Sequence, residues 1–476
     1  MKKSIVRITC FMIILGIALL YVNHIFKFKY GDGIYGMTKF YELEDDTVDV
    51  LVLGSSKAFE HFNTGILWDD YGTASYVLGG SIQPMWNTYY YLKEALKTQT
   101  PELIVLEGYC IYQNQEFIDD SRIIKNTYGM KWSMDKLNAI KISSPEERWN
   151  EFIFGYTQYH TRYPELSKGD FYKNQGNPLF NDWKGFGCNM ATTALESTDV
   201  TGIDSRSPLY WKGEEYYRKT IELAQENNIP IVVIIAPYAG INGDEESLFN
   251  TASDIASEYG VNFINCNLFL REIGIDFSTD AGDIGHLNYK GSQKFTRYIG
   301  ALLKDYYAIS DRRGDDKYVS WQRNADYISQ QIYNQELLES DEFEDISKRI
   351  WNENYMLIIS VDGDCTTENE TLQSFYSDIG ITNDEQNGIW YRDNTYGINW
   401  YTHDGDEEKY VRTPAHDFHM RRYVDEEGNY RSQVIIDNVE YKNVQNGINI
   451  VVYDTVTESI ADSFGLDYYD GYRVVR

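Results

Sequence analysis

Cysteine, proline and histidine are scarce in this chain of 476 residues, which has 5 Cys, 9 Pro and 7 His. Cys10 lies in an apolar run, whereas Cys110, Cys188, Cys266 and Cys365 are far apart, with no CxxC pair and no His spacing typical of zinc. Four such cysteines allow two disulfides in any of three connectivities, and buried free thiols fit equally well. We therefore predict no particular disulfide, no metal site and no cofactor.

Basic residues are also few, because 43 Lys+Arg stand against 73 Asp+Glu and the formal net charge is -30. A field of this sign repels nucleic acid and anionic lipid surfaces, so we expect no nucleic-acid partner. It suits a soluble extracytoplasmic domain, and solubility alone explains it without a specific cationic ligand. Aromatic residues are frequent, with 41 Tyr and 10 Trp, and their flat faces suit either protein cores or sugar surfaces.

Long apolar runs are missing except near the N-terminus, at Ile8–Val22, which Asn23–Phe26 can extend. The run is short for a membrane helix, and Lys2, Lys3 and Arg7 precede it, so the N-terminus is expected in the cytoplasm. A cleaved signal peptide is the alternative, but no small-residue cleavage site follows the run. Residues 1–29 are therefore predicted as a cytoplasmic tip and signal anchor, with the rest of the chain outside the cytoplasm.

Buried strands and amphipathic helices alternate between about Gly31 and Lys304, which predicts an α/β domain over residues 30–310. The predicted strands are Asp49–Leu53, Pro101–Glu107, Ile231–Ala236 and Val261–Cys266, and the predicted helices are Met85–Lys97, Glu214–Asn227, Ser247–Tyr259 and Tyr289–Lys304. Apolar strands without alternation indicate a parallel sheet that is covered on both faces. Sites in such sheets lie at the carboxyl ends of the strands.

Three further segments complete the predicted organisation. Residues from about 113 to 206, with Trp132, Trp149 and Trp183, do not follow the alternation of strands and helices. They are predicted as an insertion that either shapes a substrate groove or caps the sheet. Residues 311–342 are predicted as a helical connector. Residues 343–476 are predicted as a second, β-rich α+β domain, with one helix at Thr367–Ile379 and strands at Tyr355–Val361, Gly388–Asp393, Gly397–Tyr401, Tyr430–Ile436 and Gly447–Tyr453.

Two short motifs contain the candidate catalytic residues. In Asp49–Lys57 (DVLVLGSSK) an apolar strand stops at Gly-Ser-Ser, which predicts Ser56 at a helix start with turn amides beside it and Ser55 as a support or cap. About 230 residues later, Asp283 precedes His286 by three positions, so that Asp283 can orient the imidazole and leave Nε2 free for a serine. Each motif alone is usually only a cap or a spectator histidine; together they supply a serine acyl-transfer triad.

The same residues resemble the SGNH/GDSL hydrolase superfamily over about residues 46–306. The resemblance rests on the strand followed by GSS, on Gly79-Gly80 after the next apolar run (SYVLGGSIQP), on IPIVVIIAP and on DIGHLN…G. It is closest to exported, membrane-anchored members similar to the D-alanyl-lipoteichoic acid biosynthesis protein and polysaccharide O-acetyltransferases. The resemblance implies a flavodoxin-like sheet, a triad of Ser56, Asp283 and His286, and an oxyanion hole of backbone amides from Ser56 and from Gly80 or Gly79.

The chain departs from the family pattern at two places. Ser55 stands where many members have Asp, and the usual Gly-x-Asn-Asp block is missing, its approximate place being held by Leu106–Tyr109. The side-chain oxyanion donor is therefore unassigned among Gln83, Asn87 and Asn114. Loss of such a donor costs about 10²–10³ in rate if nothing replaces it.

The C-terminal domain faintly resembles the interleukin-like inducer domain. The matching segments are YMLIISVDGDCTTENETLQSFYSDIG (Tyr355–Gly380) and NGINIVVYDTVTESIADSFGLDYYD (Asn446–Asp470), in the opposite order to the family. This resemblance implies a binding role, such as carbohydrate binding, and no activity.

The resulting functional expectation is serine-dependent acyl transfer, by an esterase, deacetylase or O-acyltransferase, on a cell-surface or exported polysaccharide. The expected partners are that glycan or acylated polymer and an acyl donor in the membrane. The alternative is a non-catalytic envelope protein that binds glycan or assists assembly on a degenerate scaffold.

Overall fold

The structure is a computed structural model, and the chain divides into two compact units, Met1–Asp326 and Tyr327–Arg476. It describes the chain apart from residues 1, 30, 156–157, 160–161, 167, 172–183, 364–366, 380–387, 394–397 and 403–405. Trp183 and Cys365 lie outside the described residues. The division falls inside the predicted connector, residues 311–342, which is mostly one helix, Val319–Leu338.

The first unit is built on a five-stranded parallel sheet that confirms the predicted α/β class. Its strands are β1 (Val50–Gly54), β2 (Ser75–Gly79), β3 (Leu103–Glu107), β4 (Ile231–Ile235) and β5 (Asn262–Asn265), in the order β2-β1-β3-β4-β5. This is the strand order of flavodoxin-like doubly wound sheets. The sequence analysis did not assign β2 as a strand, although it noted its apolar run.

Helices precede, connect and follow these strands, and the last of them continues into the second unit. In chain order they are α1 (Lys2–Phe26), α2 (Asp32–Phe40), α3 (Ser56–His61), α4 (Thr64–Tyr71), α5 (Met85–Ala95), α6 (Asp120–Thr127), α7 (Met134–Ser143), α8 (Trp149–Phe154), α9 (Trp211–Glu226), α10 (Gly243–Glu258), α11 (Leu270–Ile273), α12 (Phe277–Asp280), α13 (Tyr289–Tyr306) and α14 (Val319–Leu338). The predicted insertion contributes α6, α7 and α8.

Burial on both faces explains why the strands read as continuous apolar runs. In β1, Leu51 and Leu53 belong to one apolar cluster, whereas Val50 and Val52 belong to a second cluster that includes Phe295 of α13. Successive side chains of a strand point to opposite faces, so both faces of β1 must be apolar.

Helix α1 is longer than the apolar run suggested. Its segment Ile5–Phe26 comprises 22 residues, is largely exposed, and is long and apolar enough to cross a membrane. A signal sequence near an N-terminus has the same length and composition, so these features leave both alternatives open.

The second unit is β-rich. One antiparallel sheet has the order β15-β14-β13-β6-β7-β8 and another the order β12-β11-β10-β9. Their strands are β6 (Tyr355–Asp362), β7 (Ile389–Asp393), β8 (Ile398–Thr402), β9 (Glu407–Arg412), β10 (Asp417–Val424), β11 (Tyr430–Ile436), β12 (Val439–Glu440), β13 (Gly447–Asp454), β14 (Ser459–Asp467) and β15 (Val474–Val475). Two more helices, α15 (Phe343–Arg349) and α16 (Glu370–Ile379), belong to this unit.

The two segments quoted for the C-terminal resemblance are neighbours in this unit. Strand β6 lies in the first segment and pairs antiparallel with β13 of the second, for example Ile359 with Ile450. A single apolar cluster joins the helix-facing side of these strands to Leu372 and Phe375 of α16.

Candidate active site

The predicted serine lies at the carboxyl edge of the parallel sheet. Strand β1 ends at Gly54, and α3 begins at Ser56 after the extended residue Ser55. The amides of a first helical turn have no partner within the helix, and they point toward the N-terminal side chain. Ser56 therefore lies at the start of a helix that follows β1, which is the position that the Gly-Ser-Ser turn predicted.

The histidine and aspartate lie on the loop between α12 and α13. Amides of Gly282 and Asp283 donate to the His286 carbonyl oxygen, at 2.9 and 3.3 Å, and close this loop into a tight turn. Asn288 caps α13 by accepting hydrogen bonds from the amides of Lys290 and Gly291. The turn therefore has a fixed end directly after His286.

The three predicted side chains form a hydrogen-bonded chain. Ser56 Oγ lies 2.7 Å from His286 Nε2, and His286 Nδ1 lies 2.9 and 3.0 Å from the two carboxylate oxygens of Asp283. The Gly285 amide donates to Asp283 Oδ1 at 2.7 Å and holds the carboxylate in place. With an ionised Asp283, the proton of the neutral imidazole sits on Nδ1, and Nε2 accepts from the Ser56 hydroxyl.

The surroundings favour this protonation pattern. Burial lowers the pKa of His286, and the positive charge of Lys57 lowers it further, while Asp283 opposes both effects. For Asp283, partial burial opposes ionisation, but the hydrogen bonds from His286 and the Gly285 amide outweigh it and lower the pKa of the carboxyl. At neutral pH the pair is therefore a neutral imidazole beside a carboxylate, the state of a general base.

The insertion contributes a segment that supports the histidine loop. The Gly187 amide donates to the Phe59 carbonyl oxygen at 2.8 Å, and the Thr193 amide donates to the Ala281 carbonyl oxygen at 2.8 Å. Asn189 forms an isolated parallel bridge with Asn288. Residues 187–193 thus run from α3 to the loop that carries Asp283, so this part of the insertion belongs to the site rather than to a distant cap.

Gly79 and Gly80 lie at the same edge of the sheet as the serine. Strands β1 and β2 are in register with Gly54 opposite Gly79, so the chain leaves both strands side by side. A Cβ on Gly79 would lie 2.5 Å from the Gly54 carbonyl oxygen, and one on Gly80 would overlap Asn126 Oδ1. Both positions therefore need glycine for close backbone packing.

The three candidates for a side-chain oxyanion donor have other environments. Asn87 accepts a hydrogen bond from Ser143 at 3.1 Å, and Gln83 donates to Thr88 at 3.0 Å, and both side chains are buried. Asn114 is exposed. Within the described residues, no hydrogen bond joins any of the three to Ser56 or His286, and the donor stays unassigned.

Sequence reasoning missed two buried ionisable residues beside the triad, Lys57 and Glu107. Lys57, the last residue of the DVLVLGSSK motif, is 1% exposed, donates to the Gly285 carbonyl oxygen, and lies 3.9 and 3.8 Å from the ring centres of Tyr109 and Tyr238. Glu107, at the end of β3, is fully buried. Burial lowers the pKa of Lys57 and raises that of Glu107, and the opposite charges partly offset both shifts.

Glu107 lies in Leu106–Tyr109, the segment that the sequence resemblance aligned with an Asn-containing block. Its carboxylate accepts from the Tyr109 amide at 3.1 Å and from the Ser55 hydroxyl at 3.4 Å. Ser55 is therefore a link between the serine turn and β3, which agrees with its predicted supporting role. A charged residue that ends the apolar strand LIVLE was the signal in the sequence, but the partner, 50 residues earlier, was not evident.

Two residues of α3 complete the surroundings of the imidazole. His61 is fully buried, and its Nε2 accepts from the Leu287 amide at 3.0 Å, so it fixes the backbone next to His286. Glu60 Oε1 lies 3.8 Å from His286 Nε2, and burial raises the pKa of Glu60 to about 8, with the Asp283 charge adding to the shift. The carboxyl of Glu60 is thus mostly protonated at neutral pH and can donate a hydrogen bond.

Cys10, Cys110, Cys188 and Cys266 are free thiols. Over the part of the chain that the structure describes, no group of three or more His, Cys, Asp and Glu side chains is arranged to hold a metal ion.

Comparison with known proteins does not identify a family. No protein-family model matches the chain, and no curated protein matches it significantly. The function must therefore be argued from the geometry of Ser56, His286 and Asp283 alone.

Proposed function

We propose that the chain is a serine-dependent acyl-transfer enzyme of the SGNH type, acting outside the cytoplasm on a cell-surface or exported polysaccharide. The single observation that carries the proposal is the continuous hydrogen-bonded chain from Ser56 through His286 to Asp283. This chain joins residues 230 positions apart in the sequence, and its order of groups is the one that activates a serine.

The proposed reaction follows from the roles of these groups. His286 Nε2 takes the proton of Ser56, and Ser56 Oγ attacks the carbonyl carbon of an ester, with the developing oxyanion held by the amides of Ser56 and Gly80. The imidazolium then gives its proton to the leaving alcohol, and an acyl-serine remains. Water or a sugar hydroxyl, deprotonated by His286, attacks the acyl-serine and releases the serine.

Labelling by a fluorophosphonate probe tests the nucleophile. We expect the wild-type chain to be labelled and Ser56→Ala to remain unlabelled, because the probe reacts only with an activated serine hydroxyl. Ser55→Ala is the matched control, since its hydroxyl contacts Glu107 rather than His286 and its loss should leave a labelled protein. An unlabelled wild-type protein with a folded circular-dichroism spectrum would contradict the proposal.

The alternative is a non-catalytic envelope protein that binds glycan. It is favoured by Glu107, which stands where the family has its Asn-containing block and accepts hydrogen bonds rather than donating an amide N–H. An unreactive Ser56 together with measurable binding to a surface polysaccharide would support this second function.

A further inference from the structure

An open cavity of about 600 Å³ lies where α1 ends, away from the serine site. Its walls come from the end of α1 and the residues that follow it, from α2, and from residues 128–136 of the insertion. Five lysines line it, at positions 27, 29, 39, 131 and 136, against one carboxylate, Glu42. We call it the lysine cavity; its sign is opposite to the net charge of -30 that the whole chain carries.

Two of the five lysines have carboxylate partners. Lys39 Nζ lies 2.9 Å from Glu42 Oε2, and Lys29 Nζ lies 3.6 Å from Asp170 Oδ1. Lys27, Lys131 and Lys136 form no ion pair with any carboxylate of the described residues. About three positive charges in the cavity are therefore uncompensated by protein groups.

The lysine cavity contains one buried cationic side chain in a fixed position, that of Lys136. Its side chain is buried, and its ammonium group donates to the carbonyl oxygens of Tyr128 and Met130, at 3.3 and 3.0 Å, which leaves one donor without a described partner. Burial lowers the pKa of Lys136 to about 8, and the charge of Lys27 adds to this effect. A buried ammonium group with only neutral partners is costly, and a bound anion would relieve that cost.

The cavity also has a fixed position relative to the apolar helix. Asn23 and His24, in the last turn of α1, line it, and Arg162 donates to the carbonyl oxygens of Phe26 and Lys27, at 3.1 and 2.7 Å, which holds the helix end against the domain. A helix that crosses a membrane from the cytoplasm would place this end at the outer headgroup layer.

Aromatic side chains in the wall suit the same layer. Lys131 Nζ lies 4.2 Å from the ring centre of Tyr41, and Lys136 Nζ lies 5.1 Å from that of Trp132, which is exposed. Tyr and Trp are enriched at membrane interfaces because they combine an apolar ring with a polar edge.

We propose that the lysine cavity binds the phosphate-bearing headgroup of an anionic lipid in the outer leaflet of the membrane. Three uncompensated ammonium groups match a phosphate monoester or diphosphate, with two or more negative charges, better than a phosphodiester with one. The volume is within the range of small-molecule sites, so a glycerol or sugar unit attached to the phosphate also fits. The proposal does not depend on the chemistry of Ser56.

The test uses the full chain in neutral detergent and short-chain lipids that stay soluble. Binding of dihexanoyl phosphatidic acid, phosphatidylglycerol and phosphatidylcholine is measured by titration calorimetry, with inorganic phosphate and pyrophosphate as lipid-free anions. We expect phosphatidic acid to bind most tightly and phosphatidylcholine not to bind. Equal binding of phosphatidic acid and phosphatidylcholine would overturn the proposal, and tighter binding of the lipid-free anions would overturn the assignment to a lipid.

Lysine variants test whether lipid binding depends on the lysine cavity or only on the overall positive charge. Lys136→Met should weaken binding of phosphatidic acid by about tenfold or more, because a charge-assisted hydrogen bond is lost. Lys27→Gln with Lys131→Gln, both at exposed positions that folding tolerates, should weaken it similarly, and the control Lys219→Gln, on α9 and paired with Glu215, should not. Unchanged affinity in the Lys27 and Lys131 double variant would refute the site.

Discussion

Replacing Lys57 by methionine removes the ammonium group that balances Glu107 and keeps most of the buried side-chain stem. The Glu107 carboxyl is then fully buried without a cation. Burial already raises the pKa of Glu107, and the charge of Lys57 is the main influence that lowers it. With Lys57 present the pKa of Glu107 is about 7, so the carboxyl is partly protonated at neutral pH, and in the Lys57→Met variant we expect it to be fully protonated in the folded protein.

The cost of this protonation follows from the ordinary pKa of glutamate, about 4.5, which applies to the unfolded chain. At pH 7 the difference is about 2.5 pH units, and at 1.36 kcal/mol per unit it amounts to about 3 kcal/mol of folding free energy, most of which the wild-type chain already carries because burial raises the pKa of Glu107 to about 7 even with Lys57 present. At pH 5 the same calculation gives less than about 1 kcal/mol. The sign is that of a raised folded-state pKa: stability is fully present below pH 4.5 and is lost as the pH rises.

Adding Glu107→Gln removes the group that must be protonated, so the double variant should recover this free energy. We expect the recovery to be about 3 kcal/mol at pH 7 and less than about 1 kcal/mol at pH 5. Because the chain has two compact units, hydrogen exchange of peptides from β1 and β3 is the suitable assay, since it reports the opening of this sheet alone.

Lys219→Met is the control, since Lys219 is on the surface and pairs with Glu215 at 2.5 Å. It should change the exchange of β1 and β3 little, and by the same amount at both pH values. A recovery by Glu107→Gln that is absent, or that is equal at pH 5 and pH 7, would show that burial of Glu107 carries no pH-dependent cost.

Two further predictions concern the proposed catalysis. The kcat/KM for hydrolysis of p-nitrophenyl acetate should fall as the pH decreases through a value below 6.5, because burial and Lys57 lower the pKa of the base His286. Lys57→Met should move this decrease in kcat/KM to higher pH. A pH profile that does not move would show that Lys57 does not affect the pKa of His286. Asp283→Asn should lower kcat by about 10³-fold or more with an unchanged fold, because the imidazole loses its anionic partner and its tautomer is no longer fixed; full activity in that variant would exclude Asp283 from the triad.

Sequence patterns were sufficient to predict those strands that are buried on both faces. Strands β1, β3 and β4 were predicted to within two residues at each end, because both their faces are covered and their positions are apolar apart from Glu107 at the end of β3. Strands β9 and β10 were missed. Their exposed faces carry Glu, Lys and Arg, and their identity depends on pairing with each other, which local composition does not encode.

In the candidate site, too, features set by local sequence could be predicted, whereas a feature set by the order of the strands could not. The spacing of Asp283 and His286 is local, and the serine turn follows directly from its strand, so both could be predicted from short motifs. The coupling of Lys57 with Glu107 arises because β1 and β3 are neighbours in the sheet, with Leu53 opposite Leu106. Such a pair depends on the order of the strands, which is a property of the whole sheet.

The buried pair also bears on the missing oxyanion donor. Glu107 accepts hydrogen bonds from the Tyr109 amide and the Ser55 hydroxyl and makes no hydrogen bond to Ser56, so the proposed hole depends on backbone amides together with any donation from the protonated Glu60. A hole that lacks one side-chain donor is slower by about 10²–10³. Such a loss is tolerable if the acyl acceptor is a polymer held at the same membrane surface, because tethering raises its effective concentration. On this argument a free small ester should be a poor substrate and a membrane-associated glycan a good one, and a chain that hydrolyses soluble esters at high rates would show that a donor other than these amides and Glu60 operates at Ser56.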